Sequence, residues 1–154
     1  MLNQDQKTAA QQLNLAELYA ELDWLEQVIG QVICSYLKQE GHEAHWSDIP
    51  LPDLSDSAGI YAKLVRDWSL NDHERLALAL TLAPHLRPHL LDVFFGLNAH
   101  YNRSFTEFGG ITDKTYSGFL PTGQTLNFLI SANDPQWRIS AMAILDPGSR
   151  LMRE

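Results

Sequence analysis

A regular spacing of apolar residues between Leu15 and Leu37 restricts the fold of this 154-residue chain more than any other feature. Because an α-helix turns once every 3.6 residues, apolar side chains three or four positions apart share one face. The stripe predicts an amphipathic helix of about six turns, closed near Gly41, a residue type common at helix C-caps. Its members are Leu15, Leu18, Leu22, Leu25, Ile29, Val32 and Tyr36.

The same spacing is compatible with two kinds of packing. It could form a coiled-coil seam with a second copy, which would make residues 15–37 an oligomerisation module. Charged residues do not flank the stripe systematically, so the pattern favours packing within the chain's own core.

Further helical signals follow along the chain. Asn71 and Glu74 have the spacing of a capping box, which opens a nearly continuous apolar segment limited by Pro84. Thr122 and Asp134 are placed to cap two later helices. Trp68 and Trp137 lie on apolar helical faces and are predicted to be core residues. The helices in addition to the one opened by Asn71 are predicted at 57–68, 88–95, 123–132 and 135–145.

The segment at about 98–119 lacks any helical or strand period. It is rich in Gly, Thr and aromatic residues, and a loop of this length is unusual in a compact domain unless it is functional or packed by its own side chains. The sequence therefore predicts a mainly α fold, with five to six helices and one long loop in a single domain at 15–148. Residues 1–14 are predicted to be a flexible N-terminus, and 149–154 a tail or linker.

Charge and hydropathy exclude several classes of partner. The chain has 19 acidic and 11 basic residues, a formal net charge of −8, and its basic residues are scattered. A phosphate backbone would be repelled, so nucleic acid is not an expected partner. No apolar run approaches the ~18 residues that span a bilayer.

With a lone cysteine, Cys34, and no signal-peptide pattern, the expected compartment is the cytoplasm.

The motifs associated with chemistry are incomplete. Gly118–Thr125 follows the phosphate-loop template, but Gln124 replaces the lysine that neutralises the phosphates, and Pro121 removes one backbone amide. His85 and His89 have the spacing of a zinc pair on one helix, but Pro88 is predicted to break that helix. The sequence thus predicts no cofactor, no metal site and no catalytic residue in this chain.

The loop from Arg103 to Thr125 is the predicted contact surface for a protein partner, because its aromatic side chains need burial against this domain or a neighbour. In an alternative interpretation the loop closes a pocket that contains Arg103, Glu107 and His100, as in a small-molecule-binding or enzymatic domain. The candidate partner-binding residues are Arg103, Phe105, Glu107, Phe108, Tyr116 and Phe119.

Two parts of the chain resemble a known family: Glu74–Leu86, and Arg103–Gly110 followed by Gly118–Thr125. Together they resemble the region ahead of the ATPase core in AAA+ ATPases associated with bacterial extracellular contractile injection systems. The resemblance covers roughly residues 69–146, about half of the chain. It implies a non-catalytic N-terminal domain that recognises substrate or adaptor proteins, followed by an ATP-hydrolysing module in a hexameric parent protein.

Overall fold

The computed structural model describes residues 1–37, 45–100, 102–131 and 135–153. Its α-helices are α1 (Gln4–Tyr36), α2 (Ile60–Asp67), α3 (Asp72–Leu86), α4 (Gly123–Ser131), α5 (Pro135–Met142) and α6 (Arg150–Arg153). The 3-10 helices are Trp46–Asp48, Pro88–Phe95, Thr106–Phe108 and Ala143–Leu145. The predicted mainly helical fold is confirmed. The caps expected at Gly41 and Asp134 lie outside the described residues.

Two short strands interrupt the predicted loop. They are β1 (Leu97–Asn98) and β2 (Arg103–Ser104), which pair antiparallel with Leu97 opposite Ser104. Farther along, Ile111 and Leu120 form an isolated bridge, with the Ile111 N–H donating to the Leu120 carbonyl at 2.9 Å. The segment at 98–119 is therefore partly ordered by backbone hydrogen bonds.

The first helix begins earlier than predicted. The Asn3 side chain accepts a hydrogen bond from the Gln6 N–H at 2.8 Å, and the Gln6 side chain accepts one from the Asn3 N–H at 3.0 Å. This capping box starts α1 at Gln4. Alanine and glutamine, which favour helices, are frequent up to residue 14, so helix forms there without an apolar stripe. The N-terminus predicted to be flexible at 1–14 is thus helical from Gln4 onward, and most of its side chains face solvent.

The main hydrophobic core surrounds the second half of α1. Trp24 packs edge-on against Trp46 with ring centroids 6.4 Å apart, and its indole N–H donates to the Ile49 carbonyl at 3.1 Å. α3 is the predicted central helix, and Leu76, Ala77, Ala79, Leu80 and Ala83 are all buried. A smaller second cluster contains Leu54, Tyr61, Ala62, Val65 and Leu70.

The C-terminal residues belong to the domain. Leu151 of α6 packs against both hydrophobic clusters, and Arg150 donates to the backbone carbonyls of Trp68 and Ser69 at 3.1 and 2.8 Å. Residues 150–153, predicted to be part of a tail or linker, thus form a short helix that contacts both clusters. Trp137, which was predicted to be core, is exposed on α5.

A buried carboxylate fixes α2 against α1. Glu17 accepts hydrogen bonds from the Gly59 N–H at 2.7 Å, the Ala62 N–H at 3.0 Å and the Ser57 hydroxyl at 2.5 Å. It therefore satisfies two of the N–H groups at the start of α2, which has no side-chain cap of its own. The Tyr61 N–H donates instead to the Asn14 side chain at 2.8 Å. A Cβ at Gly59 would overlap the Glu17 carboxylate, so the close approach requires glycine.

The predicted limit of α3 at Pro84 is close to its observed end, which lies two residues later. Pro84 lies inside α3, which ends at Leu86, and the 3-10 helix that follows starts at Pro88. The predicted break between His85 and His89 is confirmed. No described helix combines the length and apolar character needed to cross a bilayer.

Candidate functional site

The aromatic residues of the predicted contact loop enter the core. Phe108 is only 2% exposed and Phe119 is also buried, while Phe105 is half-buried. The Phe108 ring lies 4.9 Å from Phe128 of α4 and 5.5 Å from Phe94, measured between centroids. These phenylalanines therefore hold the segment down on α1 and α4, and Phe108 and Phe119 are not available as an exposed contact surface.

A glycine pair turns the chain after Phe108. Gly109 and Gly110 have φ values of 63° and 89°, in the left-handed region that glycine adopts without strain. A Cβ at Gly110 would overlap the Phe119 ring. The Gly110 N–H donates to the Thr122 hydroxyl at 3.2 Å, so Thr122 stabilises this turn. Thr122 also stands directly before α4, where its carbonyl accepts from the Leu126 N–H at 3.2 Å.

The polar residues of the loop lie in different local environments. Arg103 is exposed on β2, and Glu107 is half-buried in the 3-10 helix Thr106–Phe108. Burial, and then the hydrogen bond and negative charge of Glu107, raise the pKa of the Tyr36 hydroxyl. Tyr116 is half-buried and its ring covers Gly118. Two cavities found in the described part of the chain are not lined by Arg103, Glu107 or His100.

Both cavities lie instead beside the C-terminal helices. The first has a volume of about 600 Å³ and lies between α3 and α4, with Leu78, His85, Leu126, Leu151 and Met152 among its lining residues. The second has a volume of about 610 Å³ and lies between α4 and α5, where Gln124, Asn127, Ile139 and Met142 line it. Leu145 and Gly123 line both cavities. We refer to the two cavities together as the C-terminal groove.

Leu145 contributes to the walls of both cavities of the C-terminal groove. A Cβ at Gly123 would lie 2.6 Å from Leu145 Cδ1, so the leucine packs directly on the glycine backbone. The walls of the first cavity are mostly apolar atoms. The loop contributes Leu120 and Pro121 to this wall. Part of the predicted 103–125 surface therefore does face a groove, through its last residues and not through its phenylalanines.

Large apolar side chains are exposed along the C-terminal groove. Ile139 is 77% exposed, Met142 62% and Met152 54%. Single exposed apolar residues are ordinary, but a group of them beside an apolar cavity is typical of a binding surface. We therefore take the C-terminal groove as the candidate functional site.

Aromatic contacts connect α5 to the region around α3. The exposed Trp137 ring lies 6.3 Å from the His45 ring, and the buried Trp46 ring lies 4.9 Å from the ring of His73 on α3.

Burial, and to a lesser extent the neighbouring His45, lower the pKa of His73 below 6.5, against the opposing effect of Asp72. Burial thus favours the neutral form of the His73 ring more than in an exposed histidine.

We expect His73 to make stability depend on pH. Its folded-state pKa lies below the unfolded value of 6.5, so the unfolded chain binds the proton more tightly. The stability that His73 contributes is complete above pH 6.5 and declines as the pH falls through the range below it. Thermal unfolding between about pH 7.5 and about pH 5.5 checks this. The melting temperature should fall more steeply in the wild type than in His73→Gln, and equal slopes would contradict the expectation.

Comparisons with protein-family models, with curated proteins and with solved structures found no significant match to this chain.

The sequence offered only a weak signal for the C-terminal groove. Ile139, Met142 and Leu145 follow helical spacing, which ordinarily indicates a face turned to the core. The chain folds so that α5 lies on α4 with Ile139 and Met142 open to solvent, and this depends on packing between distant segments. The available signal for a binding surface was that this part of the chain has more apolar residues than the core needs.

Proposed function

We propose that this chain is a non-catalytic protein-recognition domain that binds a substrate or adaptor protein through the C-terminal groove. Following the resemblance of residues 69–146, we place it in a hexameric AAA+ ATPase that acts in the bacterial cytoplasm in the assembly or loading of a contractile injection system. The observation that carries the proposal is the exposure of Ile139, Met142 and Met152 beside an apolar groove.

Burial of these side chains supplies the driving force. Each large apolar side chain that moves from water into an interface contributes about 1.5–3 kcal/mol. Monomeric soluble proteins rarely leave such residues together on their surface, because a contiguous patch also promotes aggregation. A protein partner that covers the groove removes this exposed area from water.

The paired substitution Ile139→Asp and Met142→Asp tests the proposal. Both side chains are exposed, so the fold should be retained, while two buried charges in the interface should reduce partner capture at least about tenfold. The affinity-tagged chain is incubated with the purified sheath, tube and baseplate proteins of a bacterial contractile injection system. Capture of one of them by the wild type, and its loss in the double variant, are expected.

Ile60→Asp provides the matched control. Ile60 is 63% exposed at the start of α2 and does not line the C-terminal groove, and an acidic residue is favourable at a helix N-terminus. Capture should be unchanged in this variant. The proposal fails if the wild type captures none of these proteins, or if Ile60→Asp and the double variant lose capture equally.

The AAA+ context has its own test, in the reading frame after codon 154. A phosphate loop with an intact lysine downstream would support it, and a stop codon would contradict it. Recognition through the C-terminal groove can hold in either case.

The first cavity also suits a second function, binding of a small apolar ligand. Its volume of about 600 Å³ is within the range of ligand pockets, and the side chains of Thr81, His85 and Thr122 stand among its apolar walls. Such a ligand should raise the melting temperature of the isolated domain, and Leu126→Trp, which fills the cavity, should abolish the rise. A ligand of this kind without any protein capture would favour this function over recognition of a protein.

A further inference from the structure

α5 is attached to the domain differently from α3 and α4. We propose that α5 is a flap, which opens away from α4 while the rest of the domain stays folded, and that the ring contact between Trp137 and His45 is its latch. This motion goes beyond the proposed function, because it concerns how the C-terminal groove changes shape, whatever binds there.

α5 turns its large apolar side chains outward. Ile139 and Met142 are exposed, and of the described side chains at 136–142 only that of Ala141 is buried. α3 and α4 instead bury most of their apolar side chains in the hydrophobic core. Because burial of apolar surface is the chief force that holds a helix on a domain, opening of α5 costs much less free energy than opening of α3 or α4.

The side of α4 that faces α5 across the second cavity is polar. Gly123, Gln124 and Asn127 line this cavity from α4. The Ser131 hydroxyl, one turn later, donates to the Asn127 carbonyl at 2.5 Å and lies 3.2 Å from the Asn127 side-chain oxygen Oδ1. Ser131 and Asn127 thus bond to each other within α4. Water can solvate such a polar face when α5 moves away, so its exposure carries little cost.

A ring contact joins α5 to a distant part of the chain. The Trp137 and His45 rings lie 6.3 Å apart between centroids, at an angle of 53°. His45 in turn lies 5.9 Å from the ring of Trp46, which is buried in the main core. The His45 ring is also held by Ser47, whose N–H donates to His45 Nδ1 at 3.3 Å. The contact therefore connects α5 to a fixed point of the domain, as a latch does.

Opening of the flap would change one part of the C-terminal groove. Ile139 and Met142 line the second cavity from α5, opposite the polar side of α4. Movement of α5 therefore changes the width of the second cavity. The α3 wall of the first cavity, which includes Leu78 and Thr81, stays in place. The latch would thus control how much of the groove is accessible.

Native-state hydrogen exchange tests the flap. The informative amides are those of residues 139–142, because the first four N–H groups of a helix have no partner within it. These amides should exchange at least about a hundredfold faster than the protected amides of α3, through an opening that depends little on denaturant. His45→Ala and Trp137→Ala should each accelerate their exchange about fivefold and leave α3 unchanged. The double variant should add little to either single one, since both remove the same contact.

His89→Ala is the matched control for His45→Ala. His89 is also an exposed histidine, and it lines neither cavity. Its replacement should change the exchange of residues 139–142 by less than about twofold. Circular dichroism and urea unfolding confirm that each variant keeps its fold and its global stability.

Thiol labelling provides a second measurement of the same opening. Ala141 is 2% exposed, so in the background Cys34→Ser the variant Ala141→Cys should react with a thiol reagent only when α5 opens. Adding His45→Ala should raise the labelling rate about fivefold, as it does the exchange rate.

Three results would overturn the flap. The amides of 139–142 could exchange only with global unfolding, at the free energy found for α3. His45→Ala and Trp137→Ala could leave the exchange of α5 unchanged, which would reject the latch. They could also accelerate α3 and α5 alike, which would show a general loss of stability and no separate motion. Partner capture is tested independently, by the Ile139 and Met142 double variant.

Discussion

Replacing Arg75 with methionine should lower the free energy of unfolding by about 3–5 kcal/mol. Arg75 is buried and forms an ion pair with Glu21 of α1, which is 1% exposed, and it also donates to the Pro52 carbonyl at 2.9 Å. Removal of the cation leaves a carboxylate in the core without its counter-charge. Urea unfolding at neutral pH measures the loss, and a change below about 1 kcal/mol would show that the pair contributes little.

A double-mutant cycle separates the pair from the burial of its members. Glu21→Met with Arg75→Met should recover much of the loss, because two apolar side chains of similar length leave no buried charge. Burial raises the pKa of Glu21 above 4.5, against the opposing effect of Arg75. The folded state therefore binds this proton more tightly, and the contribution of Glu21 to stability falls as the pH rises through its folded pKa. The defect of Arg75→Met should accordingly be smaller in acid than at neutral pH.

Phe108→Ala should lower the free energy of unfolding by about 3–5 kcal/mol as well. The Phe108 ring contacts four other rings, with centroid distances of 4.9 to 6.0 Å to Phe128, Phe105, Phe94 and Tyr36. Its loss opens a cavity where α1, α4 and the loop meet, and rigid neighbouring rings limit the collapse of that cavity. Denaturant unfolding followed by tryptophan fluorescence measures the change.

Phe105→Ala is the matched comparison for Phe108→Ala. Phe105 has the same side chain and lies in the same loop, but it is half-buried, so its truncation should cost about half as much. Both variants should retain partner capture at temperatures where they remain folded. If Phe108→Ala kept its stability but lost capture, the original interpretation of the loop as a contact surface would be restored.

Local sequence signals predicted most of the helices. The capping box of Asn71 and Glu74 acts within one turn, and α3 begins at the residue after Asn71. The break before Pro88 likewise follows from the geometry of one residue. The apolar stripe of α1 forms the centre of the main core from Leu22 onward, as its spacing indicates, whereas Leu15 is exposed and Leu18 packs on the second cluster. These features depend on neighbours three or four positions away, which is why a single sequence reveals them.

Features that depend on distant segments were not predictable in the same way. The burial of Phe108 needs rings from α1 and α4, and its own segment has no periodicity that indicates an inward face. Glu17 is a charged residue on an amphipathic helix, for which exposure is the normal expectation. Its partners at Ser57, Gly59 and Ala62 lie 40 to 45 residues later in the chain. The candidate site was missed for the same reason, because α5 carries a core-like pattern but leaves Ile139 and Met142 exposed.

The short α6 has a mechanical consequence. Leu151 touches both hydrophobic clusters, and the next residue, Met152, lines the C-terminal groove. A force on α6 that displaces Leu151 therefore also moves Met152, and so changes the shape of the C-terminal groove. Tension applied at residue 153 would be shared between the two hydrophobic clusters and would shift one wall of the C-terminal groove.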